Sequence, residues 1–386
     1  MKHFSRPQLA EEMIDAILGK NLFGDSHNGL FLAAPRRTGK TTFLRLDLKP
    51  ALEQRGVEVV YVDLWSSPER DPGLVISEAI GEALTKYASF MAKAAKTSGI
   101  HGLSIPGVMS IDIGRIGRMD GAALTDALHA LILAAKKPVA LIIDEAQHSL
   151  ISENGRNCMF ALKSARDQLN QPGVIQLVLV MSGSDRDKLL HLVHGNSAPF
   201  FGSRVGHMPE LGADFITFIA QAIEETRPDL TPIDAATLLL AFESFGNRPQ
   251  LFMAAVSDAV SPLAGALERF ENMVMAEALK QRDLDEQEME SAFLGLTPLG
   301  RAILWRMLER EGRFRPYDAE ALRFYKEKTG RSWSITMIQK TLQTLRDQDP
   351  PMVWKSAMGE YSVSDAAMHR WYLGRVKHGG WPPARD

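Results

Sequence analysis

A short run of small, basic and hydroxyl residues near the start of the chain has the composition of a phosphate-binding loop. Ala34–Thr42 reads APRRTGKTT. In such a loop, Gly39 lets the backbone approach an anion, Lys40 can reach the outer phosphates of a triphosphate and the Thr41 hydroxyl can ligate Mg²⁺. The motif ordinarily begins with Gly, and Ala34 stands in that place. The predicted nucleotide-binding residues are Ala34, Pro35, Arg36, Arg37, Thr38, Gly39, Lys40, Thr41 and Thr42.

The surroundings of this loop decide between a phosphate site and a plain basic turn at a helix start. An apolar run, Gly29–Ala34, predicts a buried strand before the loop, and a helix is predicted over Thr41–Arg55. A loop between a strand and a helix aims its backbone N–H groups and the positive helix N-terminus at bound phosphates. The order of elements therefore favours the phosphate site.

Two adjacent carboxylates follow a second apolar run. Pro138–Ile143 reads PVALII and leads into Asp144 and Glu145. Unpaired carboxylates at the end of a buried strand are costly, and a bound Mg²⁺ offsets that cost. We therefore expect Thr41 and Asp144 to hold the metal, Glu145 to deprotonate an attacking water, and Lys40 to stabilise the phosphates. The alternative is a strand end that reaches solvent.

The pattern over the first 210 residues is that of an α/β protein. Continuous apolar strands alternate with helices, which predicts a parallel sheet covered by helices on both faces. The further predicted strands are Val57–Leu64, Val174–Ser182 and a short Val205–Met208. The further predicted helices are Pro72–Lys96, Gly121–Lys136 and Gly155–Gln168. We assign residues 1–210 to a P-loop core, in which 85–120 is either an inserted hairpin or a loop.

The rest of the chain predicts two more domains. Residues 211–294 contain no strand pattern and form a helical lid, with helices at Ala213–Glu225, Pro232–Phe245, Pro249–Ala259 and Pro262–Arg282. Residues 295–386 predict three helices and a small hairpin, the pattern of a winged helix. Asp318 would cap the second of these helices and Gly330 would end it. The third, from about Ile335 to Asp347, would be a recognition helix.

The sequence resembles AAA+ and STAND-type P-loop ATPases, especially the archaeal-type ATPase family with a C-terminal winged helix. The resemblance rests on five segments in order: Ala34–Thr42 (APRRTGKTT), Leu141–His148 (LIIDEAQH), Val180–Leu189 (VMSGSDRDKL), Ala198–Arg204 (APFFGSR) and Gly246–Gln250 (GNRPQ). It implies an ATP-hydrolysing enzyme that uses ATP and Mg²⁺. The Asn-Lys-x-Asp element with which GTPases read their base is absent from the sequence.

The resemblance also implies roles for four residues outside the two main motifs. Ser182, with Ser184 as a neighbouring candidate, matches a polar sensor of the γ-phosphate or attacking water. Arg204 matches an arginine that acts as a finger toward a neighbour's nucleotide. Arg248 lies where the lid would contact the phosphates, although the family pattern there often reads Gly-Gly-His-Pro. The plain alternatives are a strand cap for Ser182, a surface charge for Arg204 and a turn residue for Arg248.

Charge separates the C-terminal module from the body. Residues 295–386 carry 16 Lys and Arg against 10 Asp and Glu, whereas the remainder carries 28 against 37. A basic module predicts duplex DNA as a partner of 295–386. A protein partner, a second copy of the chain, or packing of the module on its own body stays open. The function is therefore either a DNA-coupled ATPase switch or a signalling or scaffold ATPase.

The remaining composition predicts the compartment. The single cysteine, Cys158, excludes an internal disulfide and fits a reducing environment. The N-terminal residues turn polar too soon for a signal peptide, and no apolar stretch has the length of a membrane span. We expect a cytoplasmic protein without a membrane partner.

Overall fold

The computed structural model describes residues 3–19, 28–98, 121–184, 186–195, 197–261, 269–310, 314–348, 351–355 and 361–384. Its centre is a five-stranded parallel sheet in the order β2-β3-β4-β1-β5. The strands are β1 (Leu30–Ala33), β2 (Glu58–Asp63), β3 (Val139–Asp144), β4 (Leu177–Gly183) and β5 (Val205–His207). Every residue of β3 and β4 is buried, which explains why these strands read as unbroken apolar runs. The predicted fold class is confirmed.

Helices cover both faces of the sheet. Along the chain they are α1 (Pro7–Ile17), α2 (Lys40–Phe43), α3 (Lys49–Gln54), α4 (Pro72–Ser98), α5 (Gly121–Ala135), α6 (Glu153–Leu169) and α7 (Arg186–Leu190). A π-helical turn, Leu44–Leu48, joins α2 to α3, so the predicted helix after the phosphate loop is continuous but locally widened. One apolar cluster lies beneath α4, α5 and α6, and a second lies beneath α1, α2 and α3.

The part of 85–120 for which we expected a hairpin or loop begins inside a helix. Helix α4 continues to Ser98, and 99–120 lies outside the described residues. In the part of the chain that the structure describes, no helix is long and apolar enough to cross a bilayer.

The helical region after β5 has its own phenylalanine-rich core. It comprises α8 (Ala213–Thr226), α9 (Ala235–Ser244), α10 (Pro249–Ala259) and α11 (Phe270–Leu294). The last helix, predicted over Pro262–Arg282, extends beyond the predicted end to Leu294, and 262–268 lies outside the described residues. Its buried Phe270, Val274 and Ala278 pack into this core.

The C-terminal region contains three helices followed by an antiparallel hairpin, in the order predicted for a winged helix. The elements are α12 (Pro298–Arg310), α13 (Ala319–Thr329), α14 (Ile335–Asp347), β6 (Val353–Lys355), β7 (Tyr361–Val363) and α15 (Ala366–Lys377). Asp318 caps α13 by accepting from Ala321 N at 2.7 Å, and Gly330 ends it with a φ of 75°. Helix α15 was not predicted from the sequence.

Two structural links tie this module to the rest of the chain. Helix α11 packs into the lid core through Phe270 and into the C-terminal core through Phe293, so one continuous helix belongs to both. The hairpin reaches back to the sheet domain, where Trp354 packs against the core and stacks on His191 at 5.7 Å between ring centroids. In addition, Lys188 Nζ of α7 donates to the Ser364 carbonyl at 2.8 Å.

Candidate active site

The site lies at the carboxyl ends of three neighbouring strands. Strand β4 lies between β1 and β3, with Leu32 opposite Ser182 and Ile143 opposite Met181. This register brings the loop after β1, the carboxylates that end β3 and the hydroxyl near the end of β4 to one edge of the sheet. Three segments far apart in sequence therefore converge, as parallel-sheet folds arrange their sites.

Lys40 lies at the centre of this edge. Its side chain is 4% exposed, and its Nζ contacts two carboxylates and one hydroxyl group. Nζ donates to Asp144 Oδ1, to Glu145 Oε1 at 2.9 Å and to Ser182 Oγ at 3.4 Å. A buried ammonium group is thus compensated by two buried carboxylates, as buried charge requires.

Asp144 also collects hydroxyl donors. It accepts from Thr41 Oγ1 at 2.5 Å, from Tyr61 Oη at 3.2 Å and from Ser182 Oγ. The Thr41 hydroxyl and an Asp144 carboxylate oxygen form a pair of hard oxygen donors, the type that Mg²⁺ takes in proteins. Burial and the neighbouring Asp144 raise the pKa of Tyr61 above its usual range, so the phenol stays protonated and donates.

Glu145 is held from both sides of its carboxylate. While Lys40 binds Oε1, Oε2 accepts from Gln147 Nε2 at 2.6 Å, from Ser184 Oγ at 2.7 Å and from Ser184 N at 3.2 Å. Its backbone is left-handed, with a φ of 55°. Gln147 in turn lies so close to Gly183 that a Cβ there would be 2.5 Å from Gln147 Oε1, which explains the glycine at that position.

Both carboxylates are ionised at neutral pH. Burial acts to raise the pKa of Asp144, but the charge of Lys40 and hydrogen bonds from Lys40, Ser182 and Thr41 outweigh it and lower the pKa. For Glu145, burial likewise acts to raise the pKa, but the charge of Lys40 and hydrogen bonds from Ser184, Lys40 and Gln147 outweigh burial and lower the pKa. An ionised Glu145 has the charge that a general base requires.

The backbone N–H of His148 donates to the Glu145 carbonyl at 2.9 Å, and the His148 ring is neutral. Burial is the main cause that lowers the pKa of His148 to about 4; the charge of Glu145 opposes it, and the positive charges of Lys188, Arg36 and Lys40 act in the same direction as burial. Its ring lies 4.5 Å from that of Trp65, and Arg36 lies 4.7 Å over the same indole. His148 is thus an uncharged packing partner of the loop's aromatic neighbour.

The loop conformation accounts for its departure from the Gly-first pattern. Ala34 continues β1 and donates its N–H to the Gly183 carbonyl at 3.1 Å. Positive φ values occur instead at Arg37, 65°, and Gly39, 91°. Alanine is therefore tolerated at 34, whereas the backbone at 39 favours glycine.

A cavity of about 930 Å³ opens beside the loop. The sheet domain contributes the loop itself, Trp65 and Glu145, and the lid contributes side chains from α8 and α10. The segment ahead of α1 forms a third wall. The lining residues are His3, Phe4, Arg6, Pro35, Arg36, Arg37, Thr38, Gly39, Lys40, Thr41, Thr42, Phe43, Asp47, Trp65, Glu145, Leu211, Phe215, Phe218, Ile219, Pro249, Gln250, Met253, Ala254 and Ser257.

Two predicted site residues lie away from this cluster. Arg204 is exposed just before β5, and among the described residues it does not line the cavity. Arg248 precedes α10, donates to the Phe245 carbonyl at 2.6 Å and pairs with Asp285 of α11, while its neighbours Pro249 and Gln250 line the cavity. Their proposed roles, a finger and a lid contact, stay predictions.

Several residues at the site were not singled out by sequence reasoning. Phe4, Arg6 and Asp47 line the cavity, Tyr61 contacts Asp144, and Gln147 contacts Glu145. Gln147 and Tyr61 could have been identified from the sequence, because each is polar and lies beside a strand end that carries a carboxylate. No sequence feature that we used indicates that Phe4 and Arg6 line the cavity.

In comparisons with known proteins, residues 25–190 match the family model described as an AAA domain. A search among curated proteins found no match. Among solved structures, the Walker-type ATPase PABY2304 of Pyrococcus abyssi is 16% identical, with 95% of each chain covered and a TM-score of 0.48. The ADP form of the Aeropyrum pernix ORC2 protein is 14% identical, with 97% of this chain and 93% of that chain covered and a TM-score of 0.49. The A. pernix ORC1 protein in complex with DNA is 17% identical, with 96% and 92% covered and a TM-score of 0.41.

Proposed function

We propose that this chain, whose residues 25–190 form an AAA-type P-loop ATPase domain, is an ATP-driven switch that couples its nucleotide state to DNA binding by the C-terminal module. The observation that carries the proposal is the convergence of Asp144, Glu145 and Ser182 on Lys40, where Lys40 and Glu145 line the cavity. Ammonium, carboxylate and hydroxyl groups in that arrangement are those needed to bind and hydrolyse a triphosphate.

The phosphates would occupy the loop end of the cavity. The N–H groups of Thr38–Thr42 and the N-terminus of α2 supply donors there, and Lys40 supplies charge. Phe4, Phe215 and Phe218 form an aromatic part of the cavity wall, in which the ring centroids of Phe215 and Phe218 lie 5.5 Å and 5.4 Å from that of Phe4. An aromatic wall suits a flat purine base, which gives the nucleotide one orientation in the cavity.

Thr41 and Asp144 would hold Mg²⁺. Among the described residues no cluster of three or more His, Cys, Asp and Glu side chains could bind a metal ion by itself. In the proposed Mg²⁺ site, one carboxylate and one hydroxyl come from the protein, and phosphates and water supply the remaining ligands. When bound, the ion neutralises charge that develops on the transferred phosphoryl group.

Glu145 is the proposed base. Gln147 and Ser184 fix its Oε2, which leaves Oε1, now bound to Lys40, as the oxygen that can face an attacking water once Lys40 binds phosphate. Ser182 is hydrogen-bonded to both Lys40 and Asp144. It would therefore respond when Lys40 moves from the carboxylates to a bound phosphate. Arg204, which is exposed, is proposed to act on the nucleotide of a neighbouring copy.

Two structural links support the proposed coupling to the C-terminal module. The lid lines the cavity through α8 and α10 and continues into the module through α11. The hairpin contacts α7, which begins three residues after β4 ends. The exposed face of α14 offers hydrogen-bond donors to a duplex. Its polar side chains are Thr336, Gln339, Lys340, Gln343 and Thr344.

Steady-state ATP hydrolysis by the full chain tests the enzyme assignment. Glu145→Gln keeps nucleotide affinity and loses turnover by at least about 100-fold, whereas Lys40→Ala loses binding. If Glu145→Gln hydrolyses ATP at the wild-type rate, the base assignment is wrong. Duplex titrations of Glu145→Gln with ATP or ADP, repeated over salt concentration, test the coupling, and equal affinities in both states would contradict it.

A further inference from the structure

Tyr61 lies on the same face of the sheet as Asp144. In the parallel pairing of β2 with β3, Asp63 lies opposite Asp144, and Tyr61 lies opposite Ile142. Since side chains alternate between the two faces of a strand, Tyr61 and Asp144 project from one face, two residues apart along the strands. The phenol is long enough to cover that offset, and Tyr61 Oη donates to Asp144 Oδ2 at 3.2 Å.

The ring of Tyr61 packs between the sheet and the helical segment that follows the phosphate loop. It contacts the apolar cluster beneath α1, α2 and α3, and the Arg45 guanidinium group lies 5.8 Å over the ring centroid. Arg45 belongs to the π-helical turn Leu44–Leu48 that joins α2 to α3. Close packing of the ring therefore restricts where the hydroxyl group of Tyr61 can lie.

The donors to Asp144 divide between its two carboxylate oxygens. Three groups donate to Oδ1, namely Lys40 Nζ, Ser182 Oγ and, at 3.0 Å, the backbone N–H of Glu145. Two hydroxyl groups donate to Oδ2, that of Thr41 at 2.5 Å and that of Tyr61. The oxygen that faces Thr41, the proposed partner of Asp144 on Mg²⁺, is thus also held by Tyr61.

A bound nucleotide would change these donors unequally. In the proposed function, Lys40 turns to the phosphates and the Thr41 hydroxyl turns to Mg²⁺. Of the donors that the described residues give to Oδ2, Tyr61 alone then remains. The torsion that turns an aspartate carboxylate is soft, so a carboxylate held only through Oδ1 can rotate. Mg²⁺ demands nearly ideal octahedral geometry, and such rotation would weaken its site.

We propose that Tyr61 is a positioning residue for the metal, whose hydroxyl group holds Oδ2 of Asp144 in the orientation that the Mg²⁺ site requires. This rests on the proposed function, because it assumes that Asp144 and Thr41 hold Mg²⁺ beside a nucleoside triphosphate. It adds that β2, a strand outside the two nucleotide motifs, determines how strongly the metal contributes to nucleotide binding. Losing a hydrogen-bond partner of a metal ligand typically lowers metal affinity about 10- to 100-fold.

The test measures how much a divalent cation strengthens ATP binding by the full chain. ATP competes with a fluorescent ADP analogue in chelator, in saturating Mg²⁺ and in saturating Ca²⁺. The ratio of the ATP dissociation constants without and with each ion is the contribution of that ion. Tyr61→Phe retains the ring and removes the hydroxyl group. Tyr87→Phe is the matched control, because Tyr87 of α4 donates to the carboxylate of Glu58, at the opposite end of β2.

We expect Tyr61→Phe to lower the Mg²⁺ contribution about 10-fold and to leave ATP affinity in chelator within about twofold of wild type. The Ca²⁺ contribution should fall by less, because Ca²⁺ accepts a wider range of ligand geometries. Tyr87→Phe should equal wild type with both ions. The comparison of the two ions separates an effect on geometry from an effect on charge.

An unchanged Mg²⁺ contribution in Tyr61→Phe overturns the proposal. An equal loss for Mg²⁺ and Ca²⁺, or a gain for Mg²⁺, also overturns it, since the hydroxyl group would then act on the charge of Asp144 and not on its orientation. A loss of ATP affinity in chelator would assign Tyr61 to the folding of the site instead. If Mg²⁺ does not strengthen ATP binding by wild type, the metal assignment fails; if wild type and Lys40→Ala bind ATP equally, the proposed function itself fails.

Discussion

Replacing Lys40 with Met isolates the charge balance of the site. Methionine retains the apolar stem but leaves two carboxylates without their cation. Asp144 is 1% and Glu145 13% exposed in the side chain, so water does not compensate them. Removing one partner of a buried ion pair costs about 3–5 kcal/mol, and the remaining hydroxyl and amide donors place this case near the lower figure. We expect the nucleotide-free protein to lose about 3 kcal/mol of stability in its sheet domain at pH 7.5.

The pH dependence of this loss carries the sharper test. In the wild type, the pKa of each carboxyl lies below its ordinary value, so its stabilisation is present at neutral pH and is lost only as pH falls through the folded-state pKa. Without Lys40, burial dominates and raises both pKa values above those of the unfolded chain. The variant then takes up a proton as pH falls toward 5. The difference between the two proteins must therefore shrink on acidification.

Hydrogen exchange of the β3 amides, corrected for intrinsic rates at pH 7.5 and pH 5, measures the opening free energy of the sheet domain alone. Lys49→Met removes a half-exposed lysine from the next helix and is the matched control. The double variant Lys40→Met/Asp144→Asn recovers part of the stability at pH 7.5. An equally large destabilisation at both pH values, or none at pH 7.5, would refute the proposed charge balance.

Two further predictions concern residues around the site. The pKa of His148 is about 4 in the folded chain and 6.5 in the unfolded chain. The free energy of unfolding therefore falls by about 1.4 kcal/mol per pH unit between pH 6.5 and 4, because the unfolded state binds a proton that the folded state does not. We expect His148→Gln to flatten this part of a plot of unfolding free energy against pH, and an unchanged slope would contradict the assignment. Lys188→Met removes the buried donor to the Ser364 carbonyl, and we expect it to raise the rate of amide hydrogen exchange around Trp354 about 10- to 100-fold. The control variant Lys163→Met, on α6, should leave that rate unchanged. If both variants exchange at the wild-type rate, the Lys188 contact does not hold the hairpin in place.

The sheet and the phosphate loop could be predicted because their signals are local. Strands buried on both faces, such as β3 and β4, leave continuous apolar runs. The loop is one contiguous motif between a strand and a helix. Asp144 and Glu145 follow from the same logic, because carboxylates at a buried strand end require a partner. The structure shows that Lys40, 104 residues earlier, is that partner.

The rest of the site depends on contacts between distant residues. Arg6 and Asp47 both line the cavity, and Asp47 accepts a hydrogen bond from the backbone N–H of Arg6, 41 residues earlier, but neither residue belongs to a motif. The position of α11 likewise follows from the lid core and the C-terminal core between which it runs. Pairings of this kind are determined by the assembled fold and leave no periodic trace in the sequence.

The two links to the C-terminal module differ in strength, which determines how the proposed switch would act. Helix α11 is 25 residues and about 37 Å long, with buried side chains in the cores at both its ends. The hairpin contact comprises the Lys188 hydrogen bond and the stacking and packing of Trp354. In the proposed switch, a nucleotide that contacts the loop and the lid together would set the angle between them, and α11 would transmit that angle to the module. A module that follows α11 would then strain its hairpin contact with α7, and we expect this smaller contact to break first. Release of the hairpin next to β4, and not bending of α11, is therefore the step by which nucleotide exchange would alter the surface that the module presents to DNA.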